Sequence, residues 1–273
     1  MVDSSSAANV VPAADDVTPY IPSGREEQLF AAAHACGLAV MLTGPTGCGK
    51  TKFVQAMAAK LGRPLITVAC HDDLSAADLV GRYLLQDGRT AWFDGPLTRA
   101  VRTGAICYLD EVVEARQDTT VVLHPLTDHR RELHIDRLGE TLAAPPQFQL
   151  VVSYNPGYQS IIKDLKDSTR QRMVAIAMDF PAASTEVTVL CQEALVSKEQ
   201  ATELVSLGVA IRKAGRLDLR EVASTRALVS AARLIAVGVP AREAATAAIA
   251  GPLSDEPSIQ AGLTELIESY LAE

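Results

Sequence analysis

The sequence predicts an α/β protein: a five-stranded parallel sheet with two β-hairpin insertions, followed by a smaller all-helical domain. Three observations carry that expectation. Five short apolar runs alternate with longer helix-patterned stretches, a glycine-rich loop joins the first run to a helix, and strand-like runs stop beyond Pro181.

Taken in order, residues 1 to about 18 are rich in Ser, Ala and Asp and read as a mobile tail. They lack the basic start and long apolar segment of a secretory signal. The apolar runs are LAVMLT (38–43), PLITVAC (64–70), AICYLD (105–110), FQLVVSY (148–154) and VAIAMDF (174–180). Near-continuous apolarity is the mark of strands covered on both faces by helices. GRYLLQDGRTAWFDGPL (81–97) reads as a hairpin, because Asp87-Gly88 supplies the positive-φ positions of a type I′ turn. RRELHIDRLGETLAAPPQ (130–147) reads as a second, turning near Leu138-Gly139. Aromatics on a hairpin, here Trp92 and Phe93, are more often packed than functional. Beyond Pro181, SKEQ (197–200) is a capping box that opens a helix. STRALVSAARLIAVG (224–238) keeps helical spacing and stops at Gly238, with Pro240 following. The expected organisation is a tail over 1–18, an α/β core over 19–181 and a helical domain over 182–273.

Composition narrows the function. In 273 residues, 48% apolar side chains suffice for a substantial core, but aromatics are only 4%, so Ala, Val, Leu and Ile must build it. A formal charge of −8 argues against binding nucleic acid through a general basic surface. The five cysteines (Cys36, Cys48, Cys70, Cys107, Cys191) are odd in number and contain no C-x-x-C pair. They point to neither a zinc site nor a disulfide framework, and their expected role is as small buried hydrophobes. No uncharged apolar stretch reaches the length of a membrane span, so a soluble cytoplasmic protein is expected.

GPTGCGKT (44–51) matches G-x-x-x-x-G-K-[ST] between an apolar strand and the helical stretch KFVQAMAAKLG. Gly44, Pro45, Thr46, Gly47, Cys48 and Gly49 would form a tight loop offering backbone N–H groups to phosphate oxygens, aided by the dipole of the following helix. Lys50 would reach the β- and γ-phosphates of ATP, and the Thr51 hydroxyl would bind Mg²⁺. About one random chain of this length in a hundred would match the pattern by chance, before strand and helix context is required. Asp110 closes the run AICYLD at the carboxyl end of a strand, where open α/β sheets bind ligands, and would hold the Mg²⁺ through water. Glu111, directly after it, could polarise a water for attack on the γ-phosphate.

Asn155, in SYNPG (153–157), is either the residue that orients that water or simply a turn residue before Pro156-Gly157. KDSTRQRM (166–173) places Arg170 and Arg172 at the head of the fifth strand, read either as two solvated arginines or as aimed at a charge the chain does not supply. Arg226, in STRAL, is a further candidate for the γ-phosphate. A monomeric P-loop kinase would need an Arg-rich lid and an acceptor pocket, and the Asp110-Glu111 pair with Asn155 argues against it. A DNA-remodelling ATPase is disfavoured by the acidic balance.

These stretches together resemble an AAA+ ATPase of the MoxR group, and within it the CbbQ/NirQ/NorQ family. IPSGREEQLF, GPTGCGKT, RPLITVACHDDLSAADLVGRYLL, DGPLTRAVRTGAICYLDEVVEARQDTTVVLHPLTDHRR, SYNPGYQS and KDLKDSTRQR carry the likeness, and ASTRALVSAARLIAVGVP carries it more loosely. It implies a ring, usually a hexamer, holding ATP between subunits. It gives Asp110 and Glu111 the Walker B roles, Asn155 the first sensor role and Arg226 the second. The arginine finger falls within STRQR, with Arg172 favoured and Arg170 the alternative. The family pattern has Pro where Asp167 stands and Phe where Met173 stands. The resemblance also implies a partner with a von Willebrand factor A domain. In the CbbQ branch, that partner is CbbO and the target is Rubisco, freed of inhibitory sugar phosphates. In the NirQ/NorQ branch, the target is nitric oxide reductase, in metal-cofactor assembly. HDDLSAADLVGRYLL and ICYLDE lean toward the CbbQ branch.

Overall fold

The computed structural model describes residues 19–86, 88–155, 166–215 and 222–272, so the expected tail over 1–18, Asp87 of the first turn and Pro156-Gly157 lie outside the described residues. The chain forms two compact units. One comprises Gly24–Thr43 and Lys50–Ala177; the other comprises residues 19–23, Gly44–Gly49 and Met178–Glu273.

In chain order, the first unit begins with α1 (Glu26–Ala35), β1 (Val40–Thr43), α2 (Lys50–Lys60), β2 (Leu65–Ala69) and α3 (Ala76–Val80). There follow β3 (Gly81–Gln86), β4 (Arg89–Asp94), α4 (Pro96–Thr103), β5 (Ile106–Asp110) and α5 (Gln117–Leu123). It closes with β6 (Glu132–Ile135), β7 (Glu140–Ala143), β8 (Gln149–Tyr154), α6 (Asp167–Arg170) and β9 (Val174–Ala177). Five of the strands make one parallel sheet in the order β2-β5-β8-β1-β9, each of them within one of the five apolar runs. The central strands are buried on both faces, β8 along its whole length. At the two edges, β2 and β9 leave alternate residues exposed, because an edge strand is not fully covered by helices. Small and branched side chains dominate the core around Met41, Leu109, Leu150 and Val152, while Phe30 and Phe53 meet edge to face at 5.4 Å.

Parallel pairing brings the carboxyl ends of β5, β8 and β1 to one edge of the sheet, with Thr43 opposite Tyr154 and Leu109 opposite Val152. The order places β1 where the strand sequence reverses direction, the position at which open α/β sheets bind ligands. The two hairpins stand outside this sheet. In the first, Gly81 pairs with Asp94 and Gln86 with Arg89, and Gly88 has φ 72°. Trp92 packs edge to face on Tyr83 at 5.3 Å and donates its Nε1–H to Asp94 at 2.7 Å, while Phe93 and Leu85 are exposed. In the second hairpin, a 3₁₀ turn over Asp136–Leu138 and Gly139 at φ 62° reverse the chain.

The second unit contains helices only, among its described residues. They are α7 (Ala183–Ala194), α8 (Lys198–Gly215), α9 (Thr225–Ala236), α10 (Ala241–Ala245), α11 (Gly251–Leu253) and α12 (Pro257–Tyr270), a π-helical turn at Thr246–Ala250 joining α10 to α11. The capping box is formed: Ser197 N–H donates to Gln200 Oε1 at 3.0 Å and Gln200 N–H to Ser197 Oγ at 3.2 Å. Ser224 caps α9, and the chain leaves that helix through Gly238 at φ 97°. Leu190, Leu204, Leu228, Ile249 and Ile267 fill a separate core. No helix in the described residues is long and apolar enough to cross a membrane.

All five cysteines are free thiols; Cys48, Cys70 and Cys107 are buried as expected, Cys191 is partly buried, and Cys36 is exposed.

Candidate functional site

The loop Gly44–Gly49 follows β1 and leads directly into α2. Gly47 sits at φ 72°, and a Cβ there would lie 2.6 Å from the Cβ of Ser224, so only glycine lets the loop approach α9 this closely. A Cβ on Gly44, at φ 152°, would collide with the carbonyl oxygen of Met178.

From α2, Lys50 reaches across a largely buried path and donates from Nζ to Asn155 Oδ1 at 2.6 Å. One residue on, the Thr51 hydroxyl donates to Asp110 Oδ2 at 3.0 Å. The other carboxylate oxygen of Asp110, Oδ1, accepts from Ser153 Oγ at 2.6 Å and from Tyr108 OH at 2.7 Å. Three hydroxyls therefore fix both oxygens of one carboxylate. Burial, and then the charge of Asp110, push the Tyr108 phenol well above its ordinary value, which keeps it a donor. The same two causes in the same order, with a further push from Glu111, raise the Cys70 thiol to about 12, so it stays protonated beside the carboxylates.

Glu111 is one of three non-glycine residues described in the left-handed region, at φ 56° and ψ 50°. Its backbone N–H donates to Ser153 Oγ at 3.0 Å, so one buried hydroxyl links Asp110 and Glu111. Left-handed backbone costs a residue with a Cβ about 1–2 kcal/mol, and strain of this kind gathers where chemistry needs it. The Glu111 side chain is exposed at the carboxyl edge of the sheet.

Lys50, Thr51, Asp110 and Asn155 thus come together, and Glu111 joins them through Ser153. Each of the two arginines has a partner inside the chain. The Arg170 guanidinium lies 5.9 Å from the ring centre of Tyr154, the residue before Asn155. Arg172 Nη1 bonds Asp128 Oδ2 at 3.0 Å, and the same carboxylate accepts from Arg130 at 2.7 Å. Those bonds, Arg130's first, hold Asp128 well below the usual carboxylate range. Arg226 is exposed on the first turn of α9, its Cβ 3.3 Å from the place of a Cβ on Gly47.

Sequence reasoning missed Tyr108, Ser153 and Asp128. For the first two a signal existed: a phenol in AICYLD and a hydroxyl in FQLVVSY are polar groups in runs otherwise suited to full burial, and such groups need partners. The donors offered by Thr51 and Asp110 are hard oxygens, the class that holds Mg²⁺. Among the described residues no group of three or more His, Cys, Asp or Glu could hold a metal ion.

Comparison with known proteins places the chain in a family. Residues 39–173 match the AAA domain (dynein-related subfamily), and residues 186–270 match the CbbQ/NirQ/NorQ C-terminal family. The denitrification regulatory protein NirQ of Pseudomonas aeruginosa is 58% identical over 258 residues, covering 94% of this chain and 99% of that protein. Protein NorQ of Paracoccus denitrificans is 58% identical over 251 residues, covering 92% and 93%. Protein CbbQ of Hydrogenophilus thermoluteolus is 51% identical over 253 residues, covering 93% and 95%. A Thermotoga maritima RuvB mutant shares the fold, with a TM-score of 0.55 at 14% identity over 90% of this chain and 71% of that one. Identity thus favours NirQ and NorQ over CbbQ, the reverse of the lean taken from HDDLSAADLVGRYLL and ICYLDE.

Proposed function

The chain belongs to the CbbQ/NirQ/NorQ family of AAA+ ATPases, and from that premise we propose that it is a ring-forming motor of the NirQ/NorQ kind. It uses ATP hydrolysis to remodel nitric oxide reductase during activation or metal-cofactor assembly, together with a partner carrying a von Willebrand factor A domain. The observation that carries the choice of target is the 58% identity to NirQ and NorQ, against 51% to CbbQ. Rubisco, with a CbbO-type partner, is the target this reading displaces.

In this reading, the stretch Gly44–Thr51 holds the phosphates of ATP, with Lys50 on the β- and γ-phosphates. Thr51 and Asp110 hold Mg²⁺, which neutralises charge developing on the phosphates. Glu111 takes the proton of the attacking water, and Asn155 orients that water. Arg226 touches the γ-phosphate. Each site is completed by an arginine of the adjacent subunit, Arg172 in first place and Arg170 in second. Loss of such an arginine costs about 10³- to 10⁵-fold in rate in well-studied phosphoryl transfer.

The test is to trap the ring as Glu111→Gln in the native cell and identify what co-purifies. Recovery of a nitric oxide reductase subunit with a von Willebrand factor A-domain protein supports the proposal. Recovery of Rubisco overturns the target, and a chain that stays monomeric with ATP bound overturns the ring.

A further inference from the structure

The second unit contains a buried ion pair that the proposed roles leave unused. Glu186, on the first turn of α7, is completely buried. Arg212, near the end of α8, grips it with both arms of its guanidinium, Nη1 donating to Oε2 at 2.8 Å and Nη2 to Oε1 at 2.7 Å. The Phe180 ring centre lies 4.1 Å from that guanidinium. The remaining bonds of the pair converge on one place. Arg212 Nε–H donates to the carbonyl oxygen of Ala223 at 2.7 Å, and the Thr225 hydroxyl donates to Glu186 Oε1 at 2.6 Å. The pair therefore pins the residues on either side of Ser224.

Ser224 is where α9 begins, its Oγ accepting the Ala227 N–H at 3.2 Å. It is also the side chain against which the positive-φ Gly47 closes, with Arg226 next to it. A buried ion pair is a poor device for stability alone, because removing two charges from water offsets most of their attraction and apolar replacements often serve as well. Its advantage is directional: a bidentate guanidinium–carboxylate fork fixes orientation.

We propose that Glu186, Arg212 and Thr225 are positioning residues for nucleotide binding, holding Ser224 and Arg226 in register with the phosphate loop at Gly47. The ligand class is a nucleoside di- or triphosphate, sensed through the loop that cradles its phosphates. The inference rests on the reading of Gly44–Thr51 as that loop.

The experiment compares full-length Thr225→Val, Thr225→Ser and Arg212→Lys with wild type and with Lys50→Ala. Affinity for a fluorescent ADP, KM and kcat for ATP, and the melting temperature of the nucleotide-free protein are measured. Thr225→Val removes one hydroxyl bonded to a buried carboxylate, and affinity is expected to fall about tenfold. Thr225→Ser restores it to within about twofold, because the donor is retained. Arg212→Lys keeps the charge but loses the fork, and weakens binding at least as much. KM is expected to rise more than kcat falls. Wild-type affinity in Thr225→Val overturns the proposal, whether or not its melting temperature drops, since a purely structural role moves only the latter. Should Arg212→Lys fail to fold, Thr225→Val decides alone. If Lys50→Ala also binds nucleotide normally, the phosphate-loop reading itself is at fault; if Lys50→Ala loses binding and Thr225→Val does not, only the positioning inference falls.

Discussion

Replacing Ser153 with alanine tests the link between Asp110 and Glu111 directly. The hydroxyl is fully buried, donates to Asp110 Oδ1 at 2.6 Å and accepts the Glu111 N–H at 3.0 Å. Its removal strips one of three hydroxyl donors from a carboxylate, a bond to a charged group worth about 1.5–3 kcal/mol, and leaves a partly buried N–H without its acceptor at about 1 kcal/mol more. Tyr108 still donates to Oδ1, so the loss is partial, and about 2–4 kcal/mol is a fair total. For a chain of this size that corresponds to a fall of about 4–7 °C in melting temperature. Glu111 also loses a bond that supports its left-handed backbone, so turnover is expected to drop tenfold or more, roughly 1.4 kcal/mol in the barrier. Differential scanning fluorimetry and a steady-state ATPase assay on the same preparation read both quantities. Wild-type melting together with wild-type turnover would refute the idea that this hydroxyl supports the two acidic residues.

Glu111→Gln is expected to bind ATP and leave it unhydrolysed, seen as retained nucleotide on a gel-filtered ring; normal turnover would remove it as the base. In rings mixed with wild-type chains, Arg172→Ala should impair hydrolysis at a neighbour's site beyond the share of mutant sites. If neither Arg172→Ala nor Arg170→Ala acts in trans, the completing arginine lies elsewhere. His124, bonded to Thr169 at 2.9 Å, has its pKa lowered from the ordinary 6.5 by burial, then by Arg172 and Lys166. The folded form therefore disfavours the protonated ring, and the stability this confers is present above about pH 6.5 and lost as pH falls through the lower folded value. Melting temperatures across pH 5 to 8 should show that loss in wild type and a flatter profile in His124→Gln.

Much of the fold was legible because it is local. Each apolar run became a strand of the parallel sheet, and the dipeptides that demand positive φ marked the turns, as Gly139 does at φ 62°. What escaped reading depends on residues far apart in sequence. Asp128 meets Arg172 across 44 positions, and Glu186 meets Thr225 across 39; no pattern within one element announces either pair. Tyr108 and Ser153 were half-visible, as polar residues in apolar runs, but their common target could be seen only once β5 and β8 were adjacent. The branch of the family was hidden for another reason. The stretches proposed to bind ATP would do the same chemistry in every branch, so they carry little about the target, and identity summed along the whole chain is what ranks NirQ and NorQ above CbbQ.

The sharing of Asp128 has a bearing on how such a ring could cycle. Arg130 holds that carboxylate with both its guanidinium and its backbone N–H, at 2.7 and 3.0 Å, quite apart from Arg172. In the ring we propose, an Arg172 that turned toward a neighbour's phosphate would leave behind an acid still bonded to Arg130, so no bare charge would resist its departure. Return is equally undemanding, since a half-exposed pair in water trades one solvated partner for another. In that proposal Asp128 is a mooring with a second line, Arg130, so Arg172 could be cast off and recovered at each turnover without stranding the carboxylate.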